Sequence, residues 1–247
     1  MDEQYEEKYH ALENDMWWFV ARRDILTYLL DGLGSKSLKI LDIGCSGGVF
    51  LSHLVSKGYD KEHLYGIDKS AKAIEQCHKR GLDQCYVMDG AEISFEEGSF
   101  DVIIASDCLE HINDDAKALR NWKLLLKKGG NAFIFVPAFQ FLWSPHDEIN
   151  HHFRRYSKRG FINKVLQQGW EVERAGYWNC SLFFPALLIR IVKKIMKKSS
   201  GQVKDDLQMP SAFSNWFLSK ILVLENRLLR IINLPIGLSI WCICRRR

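Results

Sequence analysis

Certain residues of this chain could do chemistry because of where they fall. Asp42, Asp68 and Asp89 sit at or near the ends of short apolar runs: Ile40–Ile43, Leu64–Asp68 and Tyr86–Asp89. A carboxylate closing such a run can accept hydrogen bonds from ribose hydroxyls in a nucleotide-cofactor site. Gly44-Cys45-Ser46-Gly47-Gly48 follows the first run. Gly44 can take the geometry of a tight turn, and Gly47 and Gly48 let a ligand approach the main chain because they lack a Cβ. The helical run that follows would present free N–H groups at its start. Asp68 could also cap the helical run after it, and one residue can do both. His111 follows a fourth apolar run, Phe100–Ser106. Histidine titrates near neutral pH and could take the proton from a hydroxyl nucleophile. His111 is the first candidate base and His152 the second; alternatively, His111 caps or orients a helix.

His146, Asp147, His151 and His152 raise the question of a metal. No second ligand cluster stands at a structural-site spacing, so no metal is expected. Asp147 is expected to pair with Arg154 or Arg155 and so pin this loop over a pocket. Either arginine could meet a phosphate, or form a solvated surface pair.

These groups need a scaffold, and the hydrophobic pattern supplies one. Five apolar strands (through Val136 in the last) alternate with helical runs at Val49–Lys57, Ala71–Arg80 and Asp114–Lys127. That alternation predicts a parallel sheet with helices on both faces. Trp170–Trp178 and Leu238–Cys244 read as sixth and seventh strands. The chain has 247 residues, 47% of them hydrophobic, enough for one α/β domain with an elaboration. A net charge of +4, without a basic stripe interleaved with aromatics, speaks against nucleic acid. Seven cysteines at irregular spacing, with no C-x-x-C pair, suit reduced thiols in the cytoplasm. The acidic N-terminus does not read as a signal peptide.

With these residues in view, the chain resembles the class I S-adenosylmethionine-dependent methyltransferases. Leu41–Gly48 is similar to the family's first motif, with Ser46 where a second glycine usually stands; a serine is tolerable there if its φ is negative. Ser106–Ile112 resembles the fourth motif of the branch that methylates small molecules, including quinone precursors. The resemblance implies S-adenosyl-L-methionine as cofactor, held by Arg23, Asp42, Gly44, Cys45, Gly48, Asp68, Lys69, Asp89, Gly90 and Ser106. Arg23, rather than Arg22, would reach the methionine carboxylate. Trp143-x-x-His146-Asp147, followed by His152-x-Arg154-Arg155-Tyr156, resembles a signature of one bacterial subgroup. It implies acceptor contacts at Trp143, His146, Arg154, Arg155 and Tyr156, with His111 and His152 catalytic. The N-terminal Trp17–Arg23 run resembles a helix that covers the cofactor.

The expected fold is a seven-stranded, doubly wound, Rossmann-like methyltransferase sheet, α/β in class, with a helical insertion between strands 6 and 7. Residues 1–36 would be a lid, 37–178 and 237–247 the cofactor domain, and 179–236 the insertion. Leu182–Met196 and Phe213–Ile232 are apolar helical runs too charged to span a bilayer. They could lie in a membrane interface, with Phe183, Phe184, Trp216 and Phe217 inward and Lys193, Lys194, Lys197 and Lys198 toward anionic headgroups. Alternatively they form a hairpin over the pocket or a dimer interface. The expected activity is methyl transfer to oxygen, less readily nitrogen, of a small or lipid-linked acceptor, by a cytoplasmic protein in possible contact with the membrane's inner face. A nicotinamide-dependent oxidoreductase and a non-catalytic cofactor-binding scaffold are the alternatives.

Overall fold

The computed structural model describes residues 3–196 and 209–247. Of the expected headgroup contacts, Lys197 and Lys198 lie outside the described residues, as do the side chains of Lys193 and Lys194.

Two helices, α1 (Glu3–Leu12) and α2 (Trp17–Asp31), precede the sheet. The strands are β1 (Ile40–Ile43), β2 (Leu64–Asp68), β3 (Cys85–Val87), β4 (Phe100–Ser106), β5 (Leu126–Pro137), β6 (Glu171–Trp178) and β7 (Ser239–Arg245). Between them run α3 (Val49–Ser56), α4 (Ala71–Lys79), α5 (Asp115–Leu125), α6 (Pro145–Ile149) and α7 (Lys158–Gln167). The insertion is α8 (Phe183–Met196) and α9 (Ala212–Leu229). The sheet order is β3-β2-β1-β4-β5-β7-β6. All neighbours are parallel except β7, which is antiparallel to both β5 and β6. The strand order reverses between β1 and β4, where doubly wound sheets hold ligands.

Alternation along the strands divides the core between two layers. Along β5, Ala132, Ile134 and Val136 join Phe100, Trp122 and Trp170 on one side. Phe133 and Phe135 join Leu30, Leu54 and Trp241 on the other. Local chemistry sets several helix starts. Ser70, rather than Asp68, caps α4 by accepting from the Ala73 N–H at 3.2 Å. Asp114 caps α5 through the Lys117 N–H.

The insertion is docked onto the sheet domain. Leu222, Glu225, Asn226 and Leu229 of α9 are buried, an i, i+3, i+4, i+7 stripe. Their face packs on α2, beside Ala21, Ile25 and Leu26. Asn226 is the polar center of this contact. Its Oδ1 accepts from Trp178 Nε1 at 2.8 Å, and its Nδ2 donates to the Ala21 carbonyl at 2.8 Å. Glu225 accepts from the Cys180 and Ser181 N–H groups and so fixes the turn into α8. Phe183, expected on a membrane face, is instead buried against Phe139. Phe184, Trp216 and Phe217 are exposed. No helix among the described residues is long and apolar enough to cross a membrane.

Replacing Asn226 with alanine would strand one buried group, the Trp178 indole N–H, and remove the tie to the Ala21 carbonyl, which keeps its bond within α2. The expected loss is about 2 kcal/mol of folding stability, since an unpaired buried group costs roughly 1–3 kcal/mol. Urea denaturation of N226A beside wild type measures it.

Candidate active site

The loops after β1–β5 enclose a cavity of about 2040 Å³. Ser46, Asp68, Lys69, Asp89 and Gly90 line one end. Glu110, His111, His152 and Arg155 line the other. Tyr9, Trp17 and Phe19 come from the N-terminal helices, and Leu187 and Ile191 from α8. The insertion therefore contributes a wall of the pocket.

The first end is built by the turn after β1. Gly44, at φ +78°, bonds its N–H to the Ile67 carbonyl at 2.8 Å. A Cβ there would press on Cys108 at 3.2 Å. Ser46 has φ +49°, so the negative φ expected for it does not hold. Its N–H donates to Asp68 Oδ2 at 3.0 Å, which offsets the strain of a left-handed serine. Asp68 Oδ1 accepts from the Ser70 N–H, so both carboxylate oxygens are anchored at the end of β2. Asp89 takes the Ala91 N–H at 2.8 Å and Lys69 Nζ at 2.9 Å. Burial raises its pKa, but these two donors outweigh that and leave it below the usual range. Gly90 lines the cavity, and a Cβ there would meet Ile43 at 3.1 Å. Two anchored carboxylates at this end of the cavity offer acceptors suited to the hydroxyls and amine of a nucleoside.

Several residues expected to hold the cofactor stand elsewhere. Gly47 and Gly48 make room for the chain itself, not for a ligand. A Cβ on Gly47 would meet Gln76 at 2.9 Å and Glu13 at 3.3 Å, and one on Gly48 would meet Leu82 at 2.7 Å. The Cys45 side chain is buried behind the turn. Asp42 is buried outside the cavity lining; desolvation first, then Cys77, Asp68 and Glu13, push its pKa up to about 8. Arg23 points away and donates to the Glu13 and Asn14 carbonyls at 2.5 Å each. Arg22 is the inward one, but it lies beneath the cavity. Its guanidinium is 3.0 Å from Asp107 Oδ2 and within 4.7 Å of the rings of Trp18, Phe135 and Trp178. Ser106, whose hydroxyl oxygen accepts from Arg22 at 3.1 Å, faces the cavity.

Asp147 organises the second end. It is fully buried, and its Oδ1 lies 2.8 Å from Arg155 NH1 and 2.9 Å from His152 Nδ1. Its Oδ2 accepts from the Ser144 N–H at 2.9 Å, closing a capping box on α6. Burial opposes the charge, but His152 and Arg155 hold the pKa far below the carboxylate range. An ionised carboxylate only accepts, so His152 Nδ1 must carry the proton and Nε2 is the acceptor when the ring is neutral. The His111 ring stands edge-on to His152, with centroids 4.5 Å apart. Burial, then His152, lowers the His111 pKa to about 3, and burial lowers that of His146 to about 4. Both are neutral at pH 7. Glu110 has both oxygens buried without a hydrogen-bond partner, and burial, then Asp107, pushes its pKa well up. Ligand atoms of Glu110, His111 and His152 lie within 4.8 Å of one another, close enough to share a cation.

Trp143 and His146 line the cavity. Arg154 does not; it is paired with Asp115 at 2.8 Å on the outer side of the loop. Tyr156 is core, with its hydroxyl on Asp115 at 2.9 Å. Sequence reasoning does not single out Glu110 as a buried acid, because nothing local marks a carboxyl as unpartnered.

The sheet order and its flanking helices are those of the Rossmann-like methyltransferase fold. Residues 41–134 match the family model described as a methyltransferase domain. The chain is 30% identical over 142 residues to a ubiquinone biosynthesis O-methyltransferase of Ralstonia nicotianae, covering 51% of this chain and 58% of that protein. It is 33% identical over 122 residues to the protein of that name from Caulobacter vibrioides, covering 47% and 48%. The chain thus spans about half the length of the curated relatives it matches. Among solved structures, geranyl diphosphate C-methyltransferase from Streptomyces coelicolor aligns with a TM-score of 0.56 at 14% identity, over 90% of this chain and 76% of that one. The [4+2]-cyclase SpnF aligns with a TM-score of 0.57 at 15% identity, over 90% and 81%. A cyclase on the same scaffold shows that the fold alone does not set the reaction.

The neutral histidines have a consequence in acid. In the unfolded chain His111 and His146 protonate near 6.5; in the folded protein they resist to about 3 and about 4. The unfolded state therefore binds more protons in this window. Stability should fall from about pH 6.5 downward and level off near the folded values. Denaturation midpoints across that range should be flatter for His146→Gln than for wild type.

Proposed function

We propose that this protein is an S-adenosylmethionine-dependent methyltransferase acting on oxygen, less readily nitrogen, of a small-molecule or lipid-linked acceptor. The observation that carries this reading is one cavity with anchored carboxylates at one end and the Asp147–His152 pair at the other. Asp68 would accept the ribose hydroxyls, and Asp89 with Gly90 would flank the adenine. When bound, the cofactor supplies a methyl group made electrophilic by its sulfonium. His152 Nε2 would take the proton of the acceptor hydroxyl, and Asp147 would stabilise the resulting imidazolium. Arg155 keeps Asp147 in place and is a positioning residue. His111 would fix the His152 ring by its edge contact and border the acceptor with Trp143 and His146. The order of the two candidate bases is thereby reversed from the sequence reading. A pKa near 3 makes His111 a poor proton acceptor, whereas His152 has an ionised carboxylate behind it.

The working parts would be a lid (1–36), the cofactor domain (37–178 with 237–247) and the insertion (179–236). An apolar acceptor tail fits the α8 wall. The outer faces of α8 and α9 expose Phe184, Leu188, Trp216 and Leu224, which supports contact with the inner face of a membrane. The nicotinamide and scaffold alternatives gain no support from the methyltransferase-domain match or from the acceptor-side base.

Asp68→Ala should bind S-adenosylmethionine much more weakly in calorimetry while remaining folded; unchanged affinity would sink the cofactor assignment. With a phenolic or catecholic acceptor, His152→Ala should lower kcat by roughly 10²–10⁴-fold with little change in cofactor affinity. Full activity in H152A would overturn the base assignment, whereas loss of wild-type activity on chelator treatment would instead favor a cation at Glu110, His111 and His152. Sedimentation with anionic liposomes at low salt tests the membrane contact. It should be reduced in Leu188→Asp, and absence of binding by wild type would leave the insertion as a pocket wall alone.

A further inference from the structure

We propose that Cys45, Cys77 and Cys85 form a three-thiolate site for a divalent thiophilic metal ion of the zinc class. The three sulfurs come from separate elements: the turn after β1, the last turn of α4 and the start of β3. They converge until all lie within 4.8 Å of one another. None is in a disulfide, and none lines the cofactor cavity. The site is independent of the proposed methyl transfer.

Two glycines make the room for it. A Cβ on Gly66 would lie 2.8 Å from Cys45 Sγ and 2.9 Å from Cys85 Sγ. One on Gly48 would lie 2.9 Å from Cys77 Sγ. The Ser46 carbonyl stands beside two of the sulfurs, accepting from Cys77 Sγ at 3.2 Å and from Cys45 Sγ at 3.7 Å. Three sulfurs and one carbonyl oxygen make a donor set of four, the coordination number zinc favors.

Charge selects the ion. Three thiolates around a divalent cation leave a net charge of −1, and around Cu(I) they leave −2. All three cysteines are buried, at 5%, 0% and 1% exposure, and the cost of burying net charge rises steeply with its magnitude. Binding converts three thiols to thiolates and releases up to three protons to solvent. The ion would tie the cofactor turn to α4 and β3, and so stiffen the backbone that holds Ser46 against Asp68.

The test uses the reduced full-length chain. Cd(II), as optical probe for zinc, should bind with one-to-one stoichiometry and an ultraviolet thiolate charge-transfer band. Zinc should displace it. Cys85→Ser should abolish the band, and Cys242→Ser, at a thiol outside the cluster, should keep it. X-ray absorption of the zinc-loaded wild type should find three sulfur neighbors at about 2.3 Å. That measurement needs no variant and decides the matter if C85S does not fold. No binding by folded wild type, a band that survives in C85S, or zinc with fewer than three sulfur neighbors would overturn the site. Binding of Cu(I) but not of zinc or cadmium would overturn the divalent assignment.

Discussion

Asp147 is a carboxylate with no exposure to solvent, and the histidine-lined end of the cavity hangs on its charge. Burying an ion alone is prohibitive, so it must be surrounded by donors. Arg155, His152 and the Ser144 N–H supply them. Each donor is thereby fixed in place. Arg155 in turn reaches the Ala138 carbonyl at 2.8 Å, which ties the loop to the end of β5. The Phe153 N–H reaches the Glu110 carbonyl, which ties it to the segment after β4. One buried charge thus links two strand ends and presents the His152 ring to the cavity.

Arg22 plays the matching part under the opposite wall. Its guanidinium is buried among three aromatic rings and paired with Asp107. That places α2 against β4 and β5 and leaves its outer face for α9. The insertion can then dock through Asn226 and Glu225, two buried polar residues whose partners are all on the sheet domain or on the turn into α8. An insertion held this way is part of the pocket's architecture. The apolar residues it still exposes lie on the faces that the docking does not use.

The turn after β1 shows how a motif can be right in outline and different in detail. Glycine there was read as room for a ligand. Gly44 and Gly90 do border the cavity, but the space beside Gly47 and Gly48 is filled by Glu13, Gln76, Leu82 and Cys77. The ligand-facing position is Ser46, with a positive φ that an N–H bond to Asp68 compensates. Cys45 turns the other way, toward Cys77 and Cys85.

The sequence by itself determined the seven strands, their alternation with helices, the strand-end carboxylates and the helical insertion. Those features are written in hydrophobic period and turn chemistry, which act over a few residues. It also located both histidines and the Asp147 loop, because their types are chemically distinctive. Only the tertiary structure decided between Arg22 and Arg23, Arg154 and Arg155, and His111 and His152. Arg22 and Arg23 are neighbors on α2 and point about 100° apart, so one residue decides which guanidinium is buried, while Arg154 and Arg155 lie in the irregular segment between α6 and α7, where no period sets direction. The choice depends on partners far along the chain: Ser106 and Ser239 for Arg22, and the Leu238 carbonyl for Arg155. Burial and partnering, which turn His111 into a weak base and leave Glu110 unpaired, are properties of the packed molecule and have no local signature.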